Sequence, residues 1–362
     1  MAARENSHSR NTGQVHGSVR YIGSKQRLLA SIMEILGAPS VPGSRFVDAF
    51  CGTGVVAAAA ADAGWPVEVN DQLKSAITMA VGRVISRDDA LFAGLGGYEA
   101  AIAKLNDSRD HDGFIWREYS PASASFGEDK IERRYFTEDN ARRIDGVRRE
   151  ISAQRRAGRL SETEACLLIA DLLAAVSRVA NTAGTYGCFL AQFQNGALNP
   201  LVLAPRSLRQ KHAPLGIHNV DVFNLALRPD DVAYFDPPYT KRQYAAYYHI
   251  LETITIGDEP EVHGITRLRP WKHLASPFCY KQKAQAALLQ LVEQTRANRI
   301  LLSYSNEGHV DLKSLCSELG RLGEVKIHEV ASIGRYRPNR AASIRQSSVS
   351  EFLLEIIKTD SK

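Results

Sequence analysis

Arg45-Phe-Val-Asp-Ala-Phe50, running into Cys51-Gly-Thr-Gly54, is the stretch that decides the fold. An apolar run of this length reads as a short buried strand, and two glycines beyond it allow a tight turn that a ligand can approach closely. Val55 to Ala63 is rich in alanine and reads as a helix. Pro66-Val-Glu-Val69 reads as a second strand ending in Asn70-Asp71, and Leu73 to Ile85 as a second helix. Strand, glycine turn, helix, strand and acidic residue form the opening unit of a parallel α/β sheet.

Downstream the rhythm breaks and then returns. Asp88 to Gly113 is irregular with helical patches, and Glu138 to Arg159 reads as a charged helix. Ser161-Glu-Thr-Glu164 has the pattern of a capping box and opens an apolar helix to about Val179. Thr182 to Pro205, rich in Gly, Asn and aromatics, reads as loop. Strands are then expected at Ile217–Asp221, Val232–Asp236, Arg299–Tyr304, Val325–Val330 and Val349–Ile356, with helices at Tyr247–Ile256 and Lys281–Arg296. The fold class expected is α/β: a Rossmann-like, mostly parallel seven-stranded sheet with a mainly helical insertion. The polar residues 1–17 read as a disordered tail, residues 18–85 and 214–362 as the α/β domain, and 86–213 as the insertion.

The 362 residues, 44% hydrophobic and 23% charged, suit a globular protein. No apolar stretch nears the roughly 20 residues that span a bilayer, and no signal-peptide core opens the chain; a cytoplasmic protein is expected. The five cysteines are scattered and never paired as C-x-x-C, which points to reduced thiols and no metal site. Net charge is +5 with a pI near 8.9, which permits a polyanionic partner. Nine arginines against five acidic residues fall between Ile131 and Leu160, several as doublets. Phosphate contact and an ordinary solvated helix face both fit that pattern.

Chemistry concentrates in Asp236-Pro237-Pro238-Tyr239, at the end of the Val232–Phe235 run. A nucleobase amino group is a poor nucleophile because its lone pair is delocalised into the ring. Two acceptors for its N–H bonds, the Asp236 carboxylate and the Pro237 carbonyl, would draw the nitrogen toward sp³ geometry. Consecutive prolines fix φ and stiffen that carbonyl. Tyr239 offers a face for a base, worth roughly 1–3 kcal/mol. A strand followed by a plain proline turn is the bland alternative. The glycine turn has Gly52 and Gly54 but Ala57 in the third place, short of the nicotinamide pattern G-x-G-x-x-G. Asp71 stands where a carboxylate can accept from two ribose hydroxyls.

Together these segments resemble the class I S-adenosylmethionine-dependent DNA adenine-N6 methyltransferases of the D12, Dam-like, α group. The motifs that carry the resemblance are Tyr21-Ile-Gly-Ser-Lys25, Phe46 to Gly54, Asn70-Asp71, Asp221-Val-Phe223 and Asp236 to Tyr239, in that order. The resemblance implies S-adenosyl-L-methionine as cofactor. It places Tyr21 near the methionine end, Lys25 on the carboxylate, and Asp48, Phe50, Gly52 and Gly54 along the methionyl part. Asp71 would take the ribose, Asp221 would accept from the cofactor's adenine amino group, and Asp236 would touch cofactor and target. It also implies double-stranded DNA as substrate, read by the insertion, and a cognate restriction endonuclease as a partner.

Arg134 to Asn140, Ala180 to Gly187, Arg242-Gln-Tyr244 and Tyr248 to Glu252 resemble segments of restriction-type adenine methylases. Arg242, Tyr244 and Tyr248 are expected to border the pocket of an extruded adenine, since the target atom is inaccessible inside a duplex. Aromatic core packing is the alternative for Tyr248. Arg335 and Arg337, in a basic loop, are expected at a phosphate or groove. Cytosine N4 in DNA, an RNA amino group, or a non-catalytic nucleotide-binding module remain open from sequence.

Overall fold

The structure, a computed structural model, describes residues 19–333 and 349–358. The 1–17 tail and the basic loop at 334–340, with Arg335 and Arg337, lie outside the described residues.

Seven strands form one sheet: β1 (Phe46–Asp48), β2 (Val67–Asn70), β3 (Leu215–His218), β4 (Val232–Phe235), β5 (Arg299–Ser305), β6 (Gly323–Ile333) and β7 (Val349–Lys358). Their order across the sheet is β3-β2-β1-β4-β5-β7-β6. The first five are parallel, and β7 runs antiparallel to both β5 and β6. The expected mostly parallel seven-stranded sheet is thus the one observed. β3 starts two residues and ends three residues earlier than expected, and Asp221 instead caps a 3₁₀ turn by accepting from the Phe223 N–H at 3.0 Å.

The helices are α1 (Leu29–Leu36), α2 (Val55–Asp62), α3 (Lys74–Val84), α4 (Tyr98–Asn106), α5 (Phe114–Tyr119), α6 (Ser123–Phe126), α7 (Glu138–Arg156), α8 (Glu162–Val179), α9 (Tyr244–Tyr247), α10 (His249–Ile256), α11 (Lys281–Gln294) and α12 (Leu312–Leu319). The capping box at the start of α8 forms as read: Ser161 accepts from the Glu164 N–H and Glu164 from the Ser161 N–H.

Strand alternation divides the core in two. Phe46, Tyr234 and Leu301 face one side and join a cluster with α2, α3, α7, α8 and α10. Val47, Ala233, Phe235, Ile300 and Leu302 face the other and pack on α11 and α12. The helices between α3 and β3 therefore share the core of one sheet face, with α8 lying on α3. The chain leaves β1 toward β2 on one side, and β4 lies on the other. That reversal opens a crevice at the carboxyl ends of β1 and β4, where open α/β sheets bind their ligands.

Candidate active site

The crevice holds an open cleft that, with the solvent space at its mouth, measures about 990 Å³. Its walls come from the turn after β1, the end of β2, the Asp221 turn, the end of β4, and the segment Tyr21–Lys25. Each of these is a separate motif in the sequence; the fold brings them to one place.

Gly52 (φ +49°) holds the turn in a left-handed conformation that favours glycine, and the Tyr21 ring packs over it. Gly54 differs from expectation. It does not line the cleft. Its φ is +74° and a Cβ would meet the Ala80 Cα at 2.4 Å, so it is glycine to let α2 start against α3.

Asp71 accepts from the Gly52 N–H at 3.2 Å and the Leu73 N–H at 3.0 Å. Burial pushes its carboxyl up to about 6, against the pull of these backbone donors. Asp48 is fully buried, and its Oδ1 has no hydrogen-bond partner although it lines the cleft. Burial, then the charges of Asp236 and Asp71, raise its pKa. Asp221 accepts from Gln72 at 2.9 Å. Phe50 and Phe223 both pack on Phe278, the one member of this aromatic wall that lies outside the motifs.

The tetrapeptide after β4 straddles two cavities. Asp236 and Pro238 line the cleft, whereas Tyr239 lines a second cavity with Lys25 and Glu351. Pro237 itself is buried between them. Lys25, 4% exposed, is wedged between the two spaces. Its Nζ lies 3.1 Å from Asp236 Oδ1 and 3.6 Å from Glu351 Oε2. Burial opposes its charge, but Asp236 and its other neighbours outweigh that and hold its pKa above the ordinary lysine value. Asp236 is itself raised by burial and pulled back by Lys25. Glu351 is a residue that the motifs missed; it also accepts from the Tyr239 hydroxyl at 3.1 Å.

Two of the residues expected beside the target base do different work. Tyr248 is fully buried and stacked on Tyr21, with ring centroids 4.2 Å apart. Its hydroxyl accepts from the Ile22 N–H at 2.7 Å, while the Tyr244 hydroxyl donates to the Ile22 carbonyl at 3.1 Å. Both phenols thus clasp the Tyr21–Lys25 segment. Tyr244 still lines the cleft, and Tyr248 does not. Arg242 is exposed and lines neither cavity.

The arginine-rich stretch also reads differently in three dimensions. Arg133 is fully buried and paired with Asp129; Arg143 reaches the carbonyls of Leu105, Asn106 and Ser108; Arg148 pairs with the buried Asp145. Arg142 pairs with Asp112 and Glu138, and Arg155 with Glu162. Most of these guanidiniums hold the protein to itself, through charge-assisted hydrogen bonds to its own carbonyls and carboxylates. Asn140 and Asn181 act likewise. Asn140 holds Ala197, Asn199 and Leu201 by their backbones, and Asn181 holds Arg134, Leu190 and Gln194.

Residues 21–315 match the family described as D12 class N6 adenine-specific DNA methyltransferase. The chain belongs to that family. It is 33% identical over 297 residues to the type II methyltransferase M.FokI of Planomicrobium okeanokoites, covering 80% of this chain and 45% of that protein. It is 31% identical over 323 residues to the modification methylase StsI of Streptococcus sanguinis, covering 86% and 48%. With the type II methyltransferase M.NlaIII of Neisseria lactamica it shares 29% over 310 residues, 84% of this chain and 89% of the relative. The chain thus spans about half the length of M.FokI and StsI. No helix among the described residues is long and apolar enough to cross a membrane.

Proposed function

We propose that this D12-family chain transfers a methyl group from S-adenosyl-L-methionine to N6 of an adenine in double-stranded DNA. The observation that carries this is the division of the Asp236–Tyr239 tetrapeptide between two cavities, one for the donor and one open to a base.

The residues present fit such a donor. Asp48 offers a buried, unpartnered acceptor for an ammonium, and Asp71 presents a carboxylate to ribose hydroxyls. Asp221, Phe223 and Phe278 form a polar edge and an aromatic face for an adenine ring. Tyr21 packs over Gly52, whose positive φ favours glycine. When bound, the donor supplies a methyl carbon activated by an adjacent sulfonium.

The protein supplies position and charge. The base, turned out of the helix, stacks on Tyr239. Asp236 and the Pro237 carbonyl accept from its two amino hydrogens, so the lone pair points at the methyl carbon. The donor held by these residues would give up its methyl carbon to the nitrogen and keep the electron pair of the broken S–C bond. The nitrogen, now cationic, gives one proton to solvent. Most of the rate gain comes from pre-placed acceptors and alignment. We propose further that loops of residues 86–213 read the target sequence, and that a restriction endonuclease acts beside this chain. The modification methylases among its relatives support that placement.

Incubation with labelled donor and duplex DNA, followed by mass analysis of the nucleosides, tests this. N6-methyladenine is expected. N4-methylcytosine would move the target to another base, and label confined to RNA or protein would refute the reading.

A further inference from the structure

Glu351 belongs to no motif, and its location follows from topology. Because β7 runs against its neighbours, its first residues, not its last, lie at the carboxyl ends of the parallel strands. Glu351 is paired in register with Ser305, the last residue of β5. It lines the second cavity, 13% exposed, where one oxygen takes the Tyr239 hydroxyl and the other lies 3.6 Å from Lys25. Lys25 is thus shared between two carboxylates.

We infer that Glu351 is a positioning residue for methyl transfer, which leaves the group Lys25–Asp236–Glu351 net negative and fixes the Tyr239 face. The inference rests on the methyltransferase reading above. The amino nitrogen becomes cationic as it gains the methyl, and a preorganised negative environment favours that charge. With Asp236 as its one ion-pair partner, the Lys25 ammonium would cancel that carboxylate's charge and compete with the amino hydrogens for its oxygens. A second carboxylate draws part of the ammonium's attraction away and leaves one unit of negative charge over. Removing it should weaken the transition state more than the binding of either substrate.

The test uses the full chain with Glu351→Gln and Glu351→Asp. For Glu351→Gln, kcat should fall about tenfold or more, with KM for DNA and Kd for the donor within about twofold of wild type. Glu351→Asp, which retains the charge, should recover part of kcat. A binding measurement without DNA adds a readout apart from turnover. The ratio of Kd for neutral S-adenosylhomocysteine to Kd for the cationic donor should fall by about twofold in Glu351→Gln, and recover in Glu351→Asp. A kcat within twofold of wild type, or a ratio identical in all three proteins, overturns the inference. If wild type labels RNA or protein instead of DNA, the adenine-in-DNA reading fails. The same comparison on that substrate then still decides the role of Glu351.

Discussion

Asp71 is where folding and cofactor binding should pull in opposite directions with pH. Its carboxyl is pushed up to about 6 by burial in the ligand-free cleft. The sign follows from that direction. A group whose folded pKa is raised contributes stability that is present below about pH 4 and lost as pH rises through about 6. The change from 3.8 to about 6 corresponds to at most about 3 kcal/mol at neutral pH. Asp71 keeps part of its surface open to the cleft, so screening lowers this to about 1–2 kcal/mol. Asp71→Asn removes the titration while it leaves an oxygen to accept from Gly52 or Leu73. Its stability relative to wild type should therefore improve by that amount between pH 4.5 and 7, read from urea unfolding midpoints.

Binding should show the opposite slope. Ribose hydroxyls donate to the ionised carboxylate, so only that form is competent. At pH 5 roughly one Asp71 in eleven is ionised if the pKa is near 6, and the apparent Kd for S-adenosylmethionine should be about tenfold weaker than at pH 7. Calorimetry at pH 5, 6 and 7 measures this directly. In Asp71→Asn the pH slope should largely vanish, with any remainder belonging to Asp48 in the same cleft. A Kd that is flat across this window in wild type, or a slope equal in both proteins, would refute the ribose assignment.

Three further outcomes follow from the packing. Arg148→Ala leaves the buried Asp145 without its ion pair and should cost about 2–4 kcal/mol in chemical denaturation, while the salt dependence of DNA binding stays as in wild type. Gly54→Ala combines a positive φ with an overlap at Ala80 and should destabilise by about 3 kcal/mol, measured the same way; a loss under about 0.5 kcal/mol would contradict the close approach of α2 and α3. Tyr248→Phe removes the acceptor of the Ile22 N–H, at about 1 kcal/mol, and should raise Kd for the cofactor about fivefold through Tyr21; an unchanged Kd would detach the clasp from binding.

The parts of this molecule that were legible in sequence are those whose physics is local. Val232–Phe235 is apolar and fully buried, and a short parallel strand buried on both faces shows itself as such a run. The capping box of α8 and the proline turn at Asp236–Tyr239 depend on neighbours a few residues away, whereas the Ala80 backbone that Gly54 lets in lies far along the chain. The arginine doublets were not legible, since a guanidinium's role depends on where its acceptors lie. Arg143 finds three carbonyls 35–38 residues back, at Ser108, Asn106 and Leu105, and nothing near it in sequence predicts them. The same holds for Tyr248, whose aromatic neighbours suggested a base pocket while its hydrogen-bond partner is 226 residues earlier.

Glu351 shows how topology, and not composition, can complete a site. It lies 112 residues after Tyr239, at the start of a strand whose alternation resembles that of any edge-proximal strand. Had β7 run parallel to β5, its first residues would lie at the opposite edge of the sheet, about 20 Å away for seven residues of strand. The reversed strand brings an acidic side chain up to Lys25 from the side that the five parallel strands leave open. Lys25 in turn comes from the segment that Tyr244 and Tyr248 hold in place. The tetrapeptide supplies the acceptors, and its charge balance is set by two residues delivered from opposite ends of the chain. A variant that shifts either end should therefore change turnover even with Asp236 to Tyr239 intact.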